Sequence, residues 1–380
     1  MTRTIAAGAA VLLFLTALLG AQTPRNSCSD CKGTGYAACK KKECKPALHC
    51  GIPGEHKCDA LFSAKCCRGL QKTLCPKCKD PILEVDMQAE VESRIAWVER
   101  MRKYDDACNT RFSHVETDHW LVHCSFPEWK VGDTVLSRSR AAHLMAERLE
   151  KMTLKLEEIL GGKSPKHEAF LVWTAEEMMR TTLSQQGIGQ TNLPFKTYGN
   201  TGKFTVRPLP GGGGSDLGTK TDENFHPHLL HTGAHLVTQS VHGYVQQFAP
   251  WIDEPISHWI EIEGFKKQAT FCFREVNNNK DPWRSNDWKK QMWGEVGSKK
   301  EEPFAKLITF VDDKLAPRDK AHCWSWVDYM IKSKPGAFAV FFKELKATND
   351  TKKALEKAYG MSTAAFHDKW REWVLKTYGS

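Results

Sequence analysis

The sequence predicts an α+β protein in two parts: a small cysteine-rich module, then a larger domain with a mixed sheet and its helices first and a helical subdomain last. Three observations carry this. Ten of the 14 cysteines lie between Cys28 and Cys78, strand and helix patterns alternate from about residue 113 to 186, and helical periodicity dominates from Pro227 onward. A module of about 60 residues buries too little apolar surface to be stable unaided, so its cysteines must hold it through metal or disulfides. With 380 residues, 41% hydrophobic and 26% charged, the chain has room for more than one domain and is not a disordered one. Its formal charge of +9 is spread without a basic block, which argues against a nucleic-acid partner.

The first element is MTRTIAAGAAVLLFLTALLGA, residues 1–21, which reads as a signal peptide cleaved after Ala21. Its apolar run, Ile5 to Leu19, is shorter than the roughly 20 residues a span requires. No second such run follows, so a secreted or periplasmic protein with no membrane span after cleavage is expected. The cysteine-rich module covers 26–81 and a connecting helix 82–110, where Val91, Ile95, Val98 and Met101 recur at helical spacing.

The large domain, 111–380, has an α/β part over 111–226. HVETDHWLVHCSF reads as a strand, Ser137 to Leu160 as an amphipathic helix ended by Gly161 and Gly162, HEAFLVWT as a strand, and AEEMMRTTLSQQ as a helix. LPFKTYGNTGKFTVRPLPGGGGSDLG alternates short strands with turn formers; Gly211 to Gly214 lacks the Walker or dinucleotide pattern and has no phosphate role. Residues 227–265 form the metal-motif helices. Pro227 suits a first helical position. Leu230, Ala234, Val237, Val241 and Val245 make one stripe, and His228, His231, His235 and His242 another beside it. Residues 266–380 form a helical C-terminal part, with GMS as a turn before the last helix.

In HTGAHLVTQSVHGYVQQFAPWIDEP, His231 and His235 stand four apart, and Glu254 follows after 18 residues. Imidazoles at i and i+4 on a helix can reach one Zn2+, and a carboxylate from a second helix completes the set. The chain here resembles the gluzincin metallopeptidases, in particular their peptidase MA-like branch. HTGAH is similar to the HExxH motif with degenerate second position, and WIDEPISHW to the helix that brings the third ligand. HVETDHWLVHC, KHEAFLVWTAEEMMR, AHCWSWVDYMI and LEKAYGMSTAAFHDKWREWV look like the flanking elements, so the resemblance covers about Ser113 to Tyr378. It implies a gluzincin-like fold with Zn2+ on His231, His235 and Glu254.

Two positions depart from that family. Thr232 replaces the general-base glutamate, and a hydroxyl cannot take a proton from zinc-bound water near neutral pH, a loss of about 10² to 10⁴-fold. Pro255 replaces a glycine, which would make Glu254 a helix cap and turn its carboxylate from the metal. His228, Glu223, Glu261 and Glu263 are candidates for a displaced base, His228 and Glu263 foremost. The expected function is that of an exported, catalytically inactive peptidase-like protein that binds a peptide or protein partner. The alternatives are an active zinc peptidase with a displaced base, and a non-enzymatic protein acting through the cysteine module.

In that module CSDCKGTG and CPKC supply Cys28, Cys31, Cys75 and Cys78, two CxxC turns able to share one Zn2+. CxxCxGxG resembles one repeat of the cysteine-rich region of DnaJ chaperones; a single repeat does not bring chaperone function with it. Cys39, Cys44, Cys50, Cys58, Cys66 and Cys67 lie between, with His49 and His56 nearby. An oxidising compartment favours disulfides among these six, and a second metal site is the alternative.

Overall fold

All five residues of Trp120–Cys124 are buried, which requires a strand covered on both faces. In this computed structural model the described residues are 28–38, 52–54, 56–58, 72–78, 81–189, 196–198, 202–208, 221–245, 248–266, 283, 287–310 and 315–379. The expected signal peptide, five of the six inner cysteines (Cys58 excepted), His49 and Gly211 to Gly214 lie outside them. The chain divides into two units, Met1–His49 with Asp59–Lys103, and Cys50–Cys58 with Tyr104–Ser380. The expected module over 26–81 thus cedes Cys50–Cys58 to the large unit, because β2 (Lys57–Cys58) pairs with β4 (Ser113–Glu116) there. The connecting helix α1, Pro81–Cys108, divides after Lys103.

The smaller unit contains β1 (Tyr36–Ala38) and β3 (Lys72–Leu74), antiparallel with Tyr36 opposite Leu74. In the larger unit a six-stranded mixed sheet runs β2, β4, β5 (Trp120–Cys124), β8 (His167–Leu171), β10 (Lys203–Val206), β9 (Lys196–Tyr198). Strands β5, β8 and β10 are parallel, and the outer strands antiparallel. A separate hairpin joins β6 (Glu128–Val131) and β7 (Thr134–Ser137).

HVETDHWLVHCSF is therefore two strands, β4 and β5, where one was expected. Thr117 breaks the run: its N–H donates to the Trp120 carbonyl at 2.8 Å and its hydroxyl accepts the Trp120 N–H at 2.9 Å, a polar side chain competing with the ladder.

Parallel strands need helical crossovers, supplied by α2 (Arg138–Leu160) and α3 (Ala175–Gln186). Gly161 ends α2 at φ 67, its N–H on the Glu157 carbonyl; a Cβ there would lie 2.6 Å from the Ala339 Cβ. Thr174 and Glu177 close a capping box at the start of α3.

Next come α4 (Asp222–Ser240) and α5 (Pro250–Phe265). The described residues that follow carry the helices α6 (Trp288–Gly297), α7 (Phe304–Leu307), α8 (Pro317–Ser333), α9 (Pro335–Thr348), α10 (Thr351–Tyr359) and α11 (Thr363–Thr377). Helix α4 starts before Pro227, which lies inside it; Asp222 and Glu223 occupy its first turn, where carboxylates favour the dipole. It also stops at Ser240, so Val241, His242 and Val245 leave the expected stripes; His242 sits at φ 60 and donates to the Leu160 carbonyl at 3.0 Å. Helix α4 is buried on nearly all sides. Gly233 makes this fit, since a Cβ there would meet Leu149 at 2.8 Å and Met152 at 3.1 Å. Among the described residues no helix is long and apolar enough to cross a membrane.

Candidate metal centres

Gly33 and Gly35 adopt φ 79 and 76, and Lys32 φ 48, the left-handed bends that CKGTG needs to fold its cysteines inward. The Thr34 N–H donates to the Cys31 carbonyl, and the Cys75 N–H to the Gly35 carbonyl, both at 2.9 Å. The antiparallel pair β1 and β3 brings the two CxxC turns together. Cys28 Sγ lies 3.8 Å from Cys75 Sγ and Cys31 Sγ 3.5 Å from Cys78 Sγ, all four buried. Those separations exceed any S–S bond and match the roughly 3.8 Å edge of a tetrahedron with Zn–S near 2.3 Å. The backbone N–H of Cys31 pulls Cys28 down to about 7, while sharing a proton with Cys28 raises Cys78. Such a set gains from a cation that takes every thiolate at once. The four cysteines form a candidate metal-binding group.

The second group lies in the larger unit. His231 and His235, one turn apart on α4, place their Nε2 atoms 3.2 Å from each other. Glu254 of α5 receives both: its Oε1 is 3.5 Å from His231 Nε2 and its Oε2 3.2 Å from His235 Nε2. The three expected ligands thus converge. Pro255 does not turn Glu254 away, because Pro250 takes the first position of α5 and leaves Glu254 inside the helix, its side chain toward α4.

A fourth donor was missed. His258 Nε2 is 3.3 Å from Glu254 Oε1, and His231, Glu254 and His258 form a candidate metal-binding group. Behind the imidazoles stand two further carboxylates: Glu261 Oε2 is 2.9 Å from His258 Nδ1 and 3.4 Å from His231 Nδ1, and Asp253 Oδ2 is 3.1 Å from His235 Nδ1. A neutral imidazole carries one proton, and a carboxylate at Nδ1 draws it there. That would leave Nε2 as the atom each imidazole offers to a metal. A tetrahedral ion with Zn–N near 2.0 to 2.1 Å has ligand edges of about 3.3 to 3.4 Å, close to these spacings of 3.2 to 3.5 Å.

Buried Lys320 lies 3.9 Å from Glu254 Oε1. Burial pushes the Glu254 carboxyl up, but Lys320 and the hydrogen bonds of His231 and His235 outweigh it and hold it well below the carboxylate range. Glu261 is likewise lowered against its burial, by the charge and hydrogen bonds of His231 and His258. The three carboxylates outnumber the ammonium that approaches Glu254, a balance that favours a cation. On donor chemistry, orientation and charge the residues fit a divalent metal.

Thr232, fully buried, donates its hydroxyl to the His228 carbonyl of its own helix at 2.9 Å. Glu263 is paired with Lys332 at 2.7 Å. Glu261 orients two imidazoles, Glu223 lies in the first turn of α4, and His228 is buried one turn before His231. The signal for His258 was present: Glu254, His258 and Glu261 fall at i, i+4 and i+7 of one helix, a polar stripe on a buried face.

No family model, no curated protein and no solved structure matches the chain.

Proposed function

We propose that the protein is an exported, gluzincin-like, non-hydrolytic zinc protein: one Zn2+ held by Cys28, Cys31, Cys75 and Cys78, another by His231, His235, His258 and Glu254. The observation that carries the reading is the convergence of three Nε2 atoms on one buried carboxylate, with Glu261 and Asp253 behind the imidazoles. Catalytic zinc sites keep an open coordination position and a base beside it. Here Glu254 faces the Nε2 atoms of three histidines, Thr232 is turned into its own helix, and the nearby carboxylates orient imidazoles. The ion, when bound, supplies charge balance and cross-links α4 to α5. A peptide or protein partner would be bound rather than cut.

Metal analysis of the full chain tests this. His231→Ala and His258→Ala should each remove one zinc and leave the cysteine-held ion in place. Peptide hydrolysis that His231→Ala abolishes would overturn the non-hydrolytic reading, and unchanged zinc in both variants would overturn the centre itself.

A further inference from the structure

His56 immediately precedes β2 and Cys58 ends it, and the two-residue period of an extended chain puts both side chains on one face. The pairing of Lys57 with Glu116 and of Cys58 with Val115 fixes which face that is. Opposite stands His143 of α2. One donor atom each from His56, Cys58 and His143 lies within 4.8 Å of the other two. The His56 and His143 rings meet edge to face with centroids 5.5 Å apart.

We propose that His56, Cys58 and His143 form a separate transition-metal site of the larger unit, suited to a borderline-soft ion such as Zn2+. His143 Nδ1 donates to the Ser139 carbonyl at 2.7 Å, which fixes the ring and leaves Nε2 as its coordinating atom. Two imidazoles and a thiolate select zinc-type ions over Mg2+ or Ca2+, which take oxygen donors. Cys58 is 1% exposed and His143 3%, so the bound ion is shielded from bulk water on the sheet side. Binding replaces the Cys58 thiol proton by the metal, and that proton leaves to solvent. Three protein donors leave the fourth position of a tetrahedral ion for a water or a small ligand. The ion would tie the edge strand β2, of only two residues, to α2. This site shares no residue with the other two centres and does not rest on the reading given to them.

The full-length protein is loaded with Zn2+, dialysed against metal-free buffer, and its zinc counted by mass spectrometry. His56→Ala is expected to lose one ion per chain relative to the parent at unchanged far-UV circular dichroism, and His143→Gln the same one. The double variant loses no more than either single one. In a His231→Ala background the His56→Ala loss persists, which separates this site from the α4 and α5 centre. A folded His56→Ala variant with the parent's zinc content overturns the site, as does a double variant that loses two ions. If His143→Gln does not fold, His56→Ala alone decides.

Discussion

Two of the histidine and carboxylate clusters in the larger unit are satisfied in different ways. In one, a single imidazole serves two carboxylates: His119 Nδ1 is 2.6 Å from Glu150 Oε1 and its Nε2 3.0 Å from Glu157 Oε1. The remaining oxygens are taken by protein donors. Glu150 Oε2 accepts the Thr117 hydroxyl at 2.7 Å and the His119 N–H at 3.2 Å; Glu157 accepts Lys163 at 2.6 Å and the Ser164 N–H at 2.7 Å. In the other, three imidazoles crowd one carboxylate, and among the described residues Asp253 Oδ1 and Glu261 Oε1 have no hydrogen-bond partner. The first cluster closes with a proton and a lysine. The second sets three carboxylates against the buried ammonium of Lys320 near Glu254, an arrangement that a bound cation would complete.

The largest effect should come from the closed cluster. Glu150→Ala strips the buried partner from Thr117 and His119, and breaking such a pair costs about 3 to 5 kcal/mol. Urea unfolding should show the loss equally with and without a chelator. A loss that appears only in metal-loaded protein would mean that the two clusters are not independent. The open cluster should behave in the opposite way. At free zinc a hundredfold above its Kd, the ion stabilises the fold by about 2.7 kcal/mol, so chelation should lower stability by that order. Hydrogen exchange in α4 and α5 reads the effect locally. In His258→Ala the chelator should no longer change exchange there; a full effect in that variant would remove His258 from the ligand set.

How much of this was legible follows from where each signal lies in the chain. His231 and His235 share one helix, and Glu254 lies at a spacing that a helical hairpin explains, so local periodicity was enough to group them. The boundaries of α2 and α3 were also legible, because Gly161 and the box of Thr174 and Glu177 are local signals. Pro255 misled because the effect of a proline depends on its place in the helix, and Pro250 had already taken the first position. Lys320 comes 66 residues after Glu254 with no local mark; only the packing of α8 against α5 brings it to the site. Nor does any short-range pattern assign Cys58 to the sheet of the larger unit rather than to the cysteine module around it.

Lys320 sharpens the contrast further, for it is a buried protein cation that partly fills the open cluster. Its Nζ lies 3.9 Å from Glu254 Oε1 and repels any divalent ion on that oxygen. Lys320→Met should bind Zn2+ about tenfold more tightly, roughly 1.4 kcal/mol, in competition with a chromogenic chelator. The metal-free variant should be less stable, having lost the countercharge of Glu254. Unchanged affinity would show that the ion is held on the Oε2 side, away from the ammonium.

The smallest effect is a matter of sign against pH. His119 has its affinity for a proton raised above the ordinary 6.5, through its hydrogen bond to Glu150 and the charges of Glu150 and Glu157, against its partial burial. A raised folded value gives stability that is complete below 6.5 and is lost as pH rises through the folded value. Glu150 and Glu157 are lowered from 4.5 by His119 and, for Glu157, by Lys163, although burial alone would raise them. Their contribution is complete above 4.5 and is lost as pH falls through their folded values. The closed cluster therefore holds best between pH 4.5 and 6.5. A metal site moves the other way, since protons compete for its imidazoles and retention falls in acid. Thermal unfolding of chelator-treated protein should weaken as pH rises from 6.5, and His119→Gln should flatten that limb. In zinc-loaded protein the gain over the chelated form should widen across the same interval. If His119→Gln keeps the parent's slope, the proton that closes the first cluster resides elsewhere, and the distinction between a proton-filled and a metal-filled cluster fails at its simpler member.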